Sequence, residues 1–166
     1  MNAGEKAPIA PPAIRIGQSE GLFTLETTLI LPRPLDIVFP FFADAGNLEI
    51  ITPPWLRFHI LNPLPIHMHT GAKIDYRLRL HGFAFRWQSE ITAWEPPIRF
   101  VDEQRRGPYQ KWLHEHTFTE RAGSTEMRDF VRYATPGGWL ANILLVQRNV
   151  RQIFEFRARK LHDLFA

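Results

Sequence analysis

The octapeptide KWLHEHTF, Lys111 to Phe118, sets His114 and His116 two residues apart between Trp112 and Phe118. On a β-strand successive side chains point to opposite faces, so these four share one side, and two imidazoles stand among large aromatics on the expected core face. Four roles suit such a pair. As metal ligands they need at least a third donor, Asp102 or Asp129, to make a three-ligand site with an open position. The H-x-H spacing alone is a weak motif for this. As general acid and base, a histidine near its ordinary pKa of about 6.5 shuttles protons in a dehydration or cyclisation, with Asp102 or Asp129 orienting it. The remaining roles are polar lining of a ligand cavity and core histidines satisfied by Asp and Gln neighbours. Nucleophilic catalysis has little support, since the chain lacks Cys, a Ser elbow and a Gly-rich phosphate cradle.

The same alternation aims other groups inward. RFVDEQ places Phe100, Asp102 and Gln104 on one face, and TEMRDFVRY places Met127, Asp129, Val131 and Tyr133 together. FAFRWQSEI turns Phe83, Phe85, Trp87, Ser89 and Ile91 to the inside. Phe85, Trp87, Phe100, Trp112 and Met127, with Gln104, Tyr133 and Arg157, form the candidate ligand-binding set; inward aromatics equally serve as plain packing. An unpaired buried charge costs several kcal/mol. Arg157 is therefore expected to pair with Asp102 or Asp129, or with an anionic ligand group, unless its head snorkels to water at a rim. Trp55 reads as a loop anchor, with a place flanking a cavity mouth as the alternative, and the second H-x-H, His67-Met68-His69, as a solvated loop.

These residues need elements to hold them. LFTLETTLIL, Leu22 to Leu31, alternates as a first strand. Pro34 then opens a short helix that Pro40 kinks or shortens, and Asp44 caps a second one closed by Pro53 and Pro54. Strands follow over LRFHIL, AKIDYRLRLH, FAFRWQSEITAW, RFVDEQ, the octapeptide and TEMRDFVRY, separated by turn signals such as Gly82, Gly107-Pro108 and Gly123-Ser124. From Trp139 to Phe165 the period becomes 3.6. Trp139, Ile143, Val146, Val150, Ile153, Phe154, Leu161 and Leu164 form one stripe, and Arg157 falls near its middle. The expected architecture is α+β: a curved antiparallel sheet of about six or seven strands around a long C-terminal helix, the helix-grip arrangement.

Composition narrows the rest. The chain has 166 residues, with 13 Phe and 5 Trp, which suffices for one domain and large apolar walls. Residues 1–20 read as a Pro- and Ala-rich mobile tail and 21–166 as a single domain. No run approaches the ~20 apolar residues of a membrane span, and no signal peptide is evident. A net charge of +3 with intermixed acids does not point to nucleic acid. The expectations are a cytoplasmic protein without cofactor, a hydrophobic small molecule as partner, and compatibility with a homodimer.

TPPWL (52–56), GAKIDYRLRLHG (71–82), ITAWEPPIRFVDEQRRGPYQKWLHEHTF (91–118) and IFEFRARKL (153–161) resemble the SRPBCC or START-like (Bet v 1-like) superfamily, in particular its bacterial polyketide cyclase/dehydrase-like branch. The resemblance covers roughly Leu22 to Phe165. It implies a cavity between sheet and helix that binds lipids, polyketides, isoprenoids or other hydrophobic molecules, as carrier or sensor. Some members catalyse aromatisation or cyclisation. The third alternative for this chain is a structural or regulatory partner protein with a collapsed cavity, in which the basic helix surface matters. Phe83 and Phe85 depart from the pattern and are expected to narrow the cavity. A carrier should enclose at least ~300 Å³.

Overall fold

The computed structural model describes residues 13–80 and 82–166. The expectations for residues 1–12 and for His81 lie outside them. Eight strands run β1 Ala13–Ser19, β2 Leu22–Leu31, β3 His59–Ile60, β4 Lys73–Leu80, β5 Phe83–Glu95, β6 Arg99–Arg106, β7 Lys111–Arg121 and β8 Ser124–Ala134. They form one antiparallel sheet in the order β1-β2-β8-β7-β6-β5-β4-β3. The helices α1 Leu35–Ala43 and α2 Leu48–Ile51 follow β2, and a long helix closes the chain. The α+β helix-grip architecture is as the sequence indicates.

Two strand boundaries are corrected. Ala13–Ser19, inside the stretch expected to be a tail, pairs along β2, with Ile14 and Ile16 packing beside Phe23 and Val131. Backbone hydrogen bonds to an open edge make a strand where side-chain alternation is weak. Conversely, LRFHIL is strand only at His59–Ile60. Leu56 ends a 3₁₀ turn, and Arg57 adopts a left-handed backbone with φ 45°.

Local signals in the helices behave as the residues dictate. Pro34 precedes α1, Pro40 lies within it, and the Asp44 carboxylate accepts a 2.8 Å bond from the Gly46 amide. Val38, Phe39 and Phe42 of α1 pack on Phe118, Met127, Leu161 and Phe165 at one end of the molecule. Phe23, Leu25, Val131, Tyr133, Val150 and Phe154 make a second apolar cluster towards the other end. Register shifts in β5 against β6, at Gln88/Ser89 and Ile91/Ala93, bend the sheet. The candidate site lies between the two clusters.

The C-terminal helix runs continuously as α3 Gly138–Ala141, a π-turn Asn142–Val146 and α4 Gln147–Phe165. Val150, Phe154, Ala158, Leu161 and Phe165 are buried as periodicity requires. Trp139, Ile143 and Leu164, placed in the same stripe by sequence, are instead exposed. Periodicity finds an apolar face; it does not supply the partner that would cover it.

Candidate functional site

β6, β7 and β8 bring the inward polar groups together because their registers oppose them directly: Asp102 faces His114, and His116 faces Asp129. His114 Nε2 lies 2.9 Å from Asp129 Oδ1 and His116 Nε2 lies 3.2 Å from Asp102 Oδ2. The other nitrogens complete a square. His116 Nδ1 is 2.7 Å from Asp129 Oδ1, out of line for a hydrogen bond, and His114 Nδ1 is 3.7 Å from Asp102 Oδ2. From α4, Arg157 Nε reaches 3.4 Å from Asp129 Oδ2, again as a charge contact rather than an aligned bond. The Arg157 side chain is only 11% exposed, so the snorkelling alternative does not hold.

Electrostatics divide these groups into roles. Burial opposes ionisation of Asp129, but the Arg157 charge and the two histidines hold it well below the usual carboxylate range. Asp102 is also desolvated, yet His116 and His114 lower it. Burial, then the neighbouring His116, pushes His114 down. His116 is desolvated too, but Asp129 and Asp102 more than offset this and raise it. With His116 protonated, two carboxylates, one guanidinium and one imidazolium cancel, which is the condition for keeping charges in a low-dielectric interior. Neutral His114 donates Nε2–H to Asp129, leaving Nδ1 as an acceptor.

A hydroxyl relay extends the network along β5. Trp87 Nε1 donates to Ser89 Oγ at 3.1 Å, and Ser89 Oγ donates to Asp102 Oδ1 at 3.3 Å. Tyr76 OH lies 3.3 Å from the same Ser89 oxygen and its ring stacks on Trp87. Sequence reading placed Ser89 inward without giving it a role. A serine alternating with Trp87 and Ile91 on a core face was the available signal, since a buried hydroxyl needs partners.

These groups form one side of a cavity of about 170 Å³ that opens to the surface. Asp102, His114, His116, Trp87, Phe100, Trp112 and Arg157 line it, together with Tyr76, Ser89 and Tyr109. Ile74, Leu78, Val150 and Phe154 provide aliphatic and aromatic wall, and Met68 reaches it from the loop whose His67 and His69 stay solvated. The volume falls below the ~300 Å³ expected of a carrier, so that expectation is not met and only a small ligand fits. The volume is comparable to the roughly 150 Å³ cavity known to take benzene.

Five expected wall residues lie elsewhere. Asp129 sits behind the histidines, 2% exposed, where it orients them without lining the cavity. Gln104 clamps the β6–β7 turn, its amide donating to Tyr109 O at 2.7 Å and its carbonyl accepting from Tyr109 N. Any Cβ at Gly107 would run into that side chain. Met127 and Tyr133 are consumed by the two apolar clusters. Phe85 is half-buried and Phe83 is 72% exposed beside the β4–β5 turn, so neither narrows the cavity. At this hairpin tip alternation no longer means inside.

Asp102, His114 and His116 bring ligand atoms within 4.8 Å of one another, a set that geometry alone would allow around a divalent ion. The Arg157 charge, 3.4 Å from Asp129, opposes a further cation there.

The opposed histidine shifts give stability a maximum in pH. His114, lowered on folding, withholds stability as pH falls below about 6.5, because the unfolded chain takes up a proton that the folded one resists. His116, raised on folding, contributes fully below about 6.5 and loses that contribution as pH rises through its folded pKa. The depressed carboxylates add a further loss below about pH 3.9. Thermal melts across pH should therefore peak near about 6.5, and His116→Gln should flatten the alkaline limb. A melting temperature that climbs steadily into the alkaline range would contradict this assignment.

No protein-family model and no curated protein sequence matches the chain. Solved structures do. Protein Ms6760 from Mycobacterium smegmatis superposes with a TM-score of 0.67 at 19% identity, covering 93% of this chain and 97% of that one. A protein from Arthrobacter aurescens gives 0.69 at 14%, covering 90% and 91%. The major latex-like protein 151 from Panax ginseng gives 0.64 at 10%, covering 87% and 98%. Strand order, the closing helix and these superpositions together show that the chain has the Bet v 1-like, SRPBCC-type fold.

Proposed function

We propose that the protein binds a small hydrophobic or aromatic molecule carrying a neutral hydrogen-bonding group, and serves as its carrier or sensor. The observation behind this reading is the open apolar cavity with a charge-balanced His–Asp–Arg network along one wall. A ligand hydroxyl would find acceptors in Asp102 and His114 Nδ1, whereas a ligand carboxylate would add an uncompensated charge. Trp87 and Trp112 line the cavity, so their fluorescence reports occupancy. 1-Naphthol should quench it saturably, with 1-naphthoate at least about tenfold weaker and naphthalene intermediate. Equal affinity for all three would remove the network from recognition, and no binding by any would sink the ligand reading at this size.

A second reading is favoured by the histidines themselves. Their ring centroids are 3.8 Å apart, burial lowers the pKa of His114 while the carboxylates outweigh burial and raise that of His116, and both line the cavity. Both His116 nitrogens already face carboxylates, so His114 is the group that would exchange a proton with a bound molecule in a cofactor-independent cyclase or dehydratase. Exchange of the α-protons of 2-tetralone in D₂O, followed by NMR, separates the two. Exchange abolished in His114→Gln supports an enzyme; none above buffer supports a carrier.

A further inference from the structure

The cavity mouth and the first turns of the C-terminal helix share a surface that is both apolar and basic. Trp139, Leu140, Ile143, Leu144 and Leu145 are each between 48% and 66% exposed. Exposure at 143, 144 and 145 in succession means that the helix is uncovered around much of its circumference there. One turn beyond Leu145, Asn149 and Gln152 reach a surface depression that also includes Trp55, Arg79 and Gly82. Leu56, Leu80 and Ile153 are walls of both that depression and the cavity. The β4–β5 hairpin tip adds the exposed Phe83, and the 3₁₀ turn adds Trp55, 54% exposed. Three separate chain segments thus converge on one apolar rim.

Their charges are of one sign. Residues 52–60, 76–89 and 138–154 contain Arg57, Arg77, Arg79, Arg86, Arg148 and Arg151, and none of the chain's 17 acidic residues. All six guanidinium side chains belong to exposed residues, and none stands in an ion pair among the described residues. The first acid along the hairpin, Asp75, lies at the end away from its tip and accepts from Gln88.

We propose that this rim docks on an anionic phospholipid bilayer, with the leucines and Trp139 inserted among acyl chains and the arginines on headgroup phosphates. Apolar side chains flanked by arginine are the composition of an interfacial segment. No described helix is long and apolar enough to cross a membrane, so the contact lies on the surface. The contiguous exposed stretch on the helix, Leu140 and Ile143 to Leu145, is aliphatic and suits acyl chains better than stacked bases, although Trp55, Phe83 and Trp139 flank it. A second copy is disfavoured by symmetry, since a twofold contact would set these arginines against themselves. Given the proposed ligand binding, the docked mouth would let an apolar ligand pass between bilayer and cavity without crossing water.

Flotation of the full chain with phosphatidylcholine vesicles, with and without roughly one-third phosphatidylglycerol, tests this directly. Each basic side chain at an anionic surface is worth roughly fivefold in partition, so Arg148→Glu with Arg151→Glu should weaken binding at least 25-fold or so. Leu140→Glu with Leu144→Glu should abolish it, and because both sites are exposed the melting temperature and naphthol affinity should hold. Equal partition onto both vesicle types, or binding retained by both double variants, would overturn the proposal. So would a dimer by light scattering that Leu144→Glu dissolves while vesicles bind nothing. Naphthol binding in vesicle-free solution reads the ligand proposal separately, so either can fail alone.

Discussion

Asp129→Ala is expected to destabilise the protein by about 3–5 kcal/mol, the penalty for removing one partner from a buried charge network. Asp129 is 2% exposed and stands against both imidazoles and the Arg157 guanidinium. Its loss leaves two positive groups facing a hole with one carboxylate between them. For a chain of this length the change amounts to roughly a 10 °C fall in melting temperature. Asp129→Asn should lose less than half as much, because it keeps the shape and lets His116 release its proton to restore neutrality. Arg157→Met should also be severe near neutral pH, since two carboxylates then face one imidazolium. Its deficit should shrink as pH falls and His114 gains a proton. By contrast, breaking the exposed Arg105–Glu90 pair, 3.1 Å apart with 41% and 23% exposure, should change stability by less than about 1 kcal/mol. A loss below about 1 kcal/mol in Asp129→Ala, measured by denaturant titration, would mean that the network is not the electrostatic keystone described here.

Ile153→Arg is expected to weaken naphthol binding by roughly 100-fold, or about 2.7 kcal/mol. Ile153 is half-buried on α4 and is a wall of both the cavity and the outer depression. An arginine there can swing its head into water, so the fold should survive, but its stem and charge stand where an apolar ligand must pass. Ile153→Met keeps volume and polarity and should bind within about threefold of the native protein. The pair separates blockage from misfolding, and native mass spectrometry of protein purified without added ligand gives an independent occupancy measure. Should Ile153→Arg bind naphthol as the native chain does, the ligand route lies elsewhere, and the cavity assignment would need revision before the network's role.

Part of the site follows from the chain alone. Side chains on a strand alternate with a period of two, so Asp102, His114, His116 and Asp129 could face only one way once Phe100, Phe118 and Val131 were inside. The helical period put Arg157 near the middle of the apolar stripe but left open whether its head reaches water, and the folded contact with Asp129 decided that. No tertiary information was needed to expect the four strand residues on one face of the sheet.

What those surfaces do to each other is a tertiary matter. Strand register decided that Asp102 opposes His114 and Asp129 opposes His116, and thereby which imidazole keeps a proton. The β6–β7 turn took Gln104 out of the cavity, and the two apolar clusters took Met127 and Tyr133. The long helix shows the same division. Its stripe is continuous in sequence from Trp139 to Leu164, yet Trp139, Ile143 and Leu164 are exposed while Val150, Phe154 and Leu161 are buried. Periodicity is a local property of one segment, whereas burial requires a second surface within van der Waals reach. That is why the chain by itself specified the polar set, while only the folded protein decided the pairings, the small cavity and the uncovered rim.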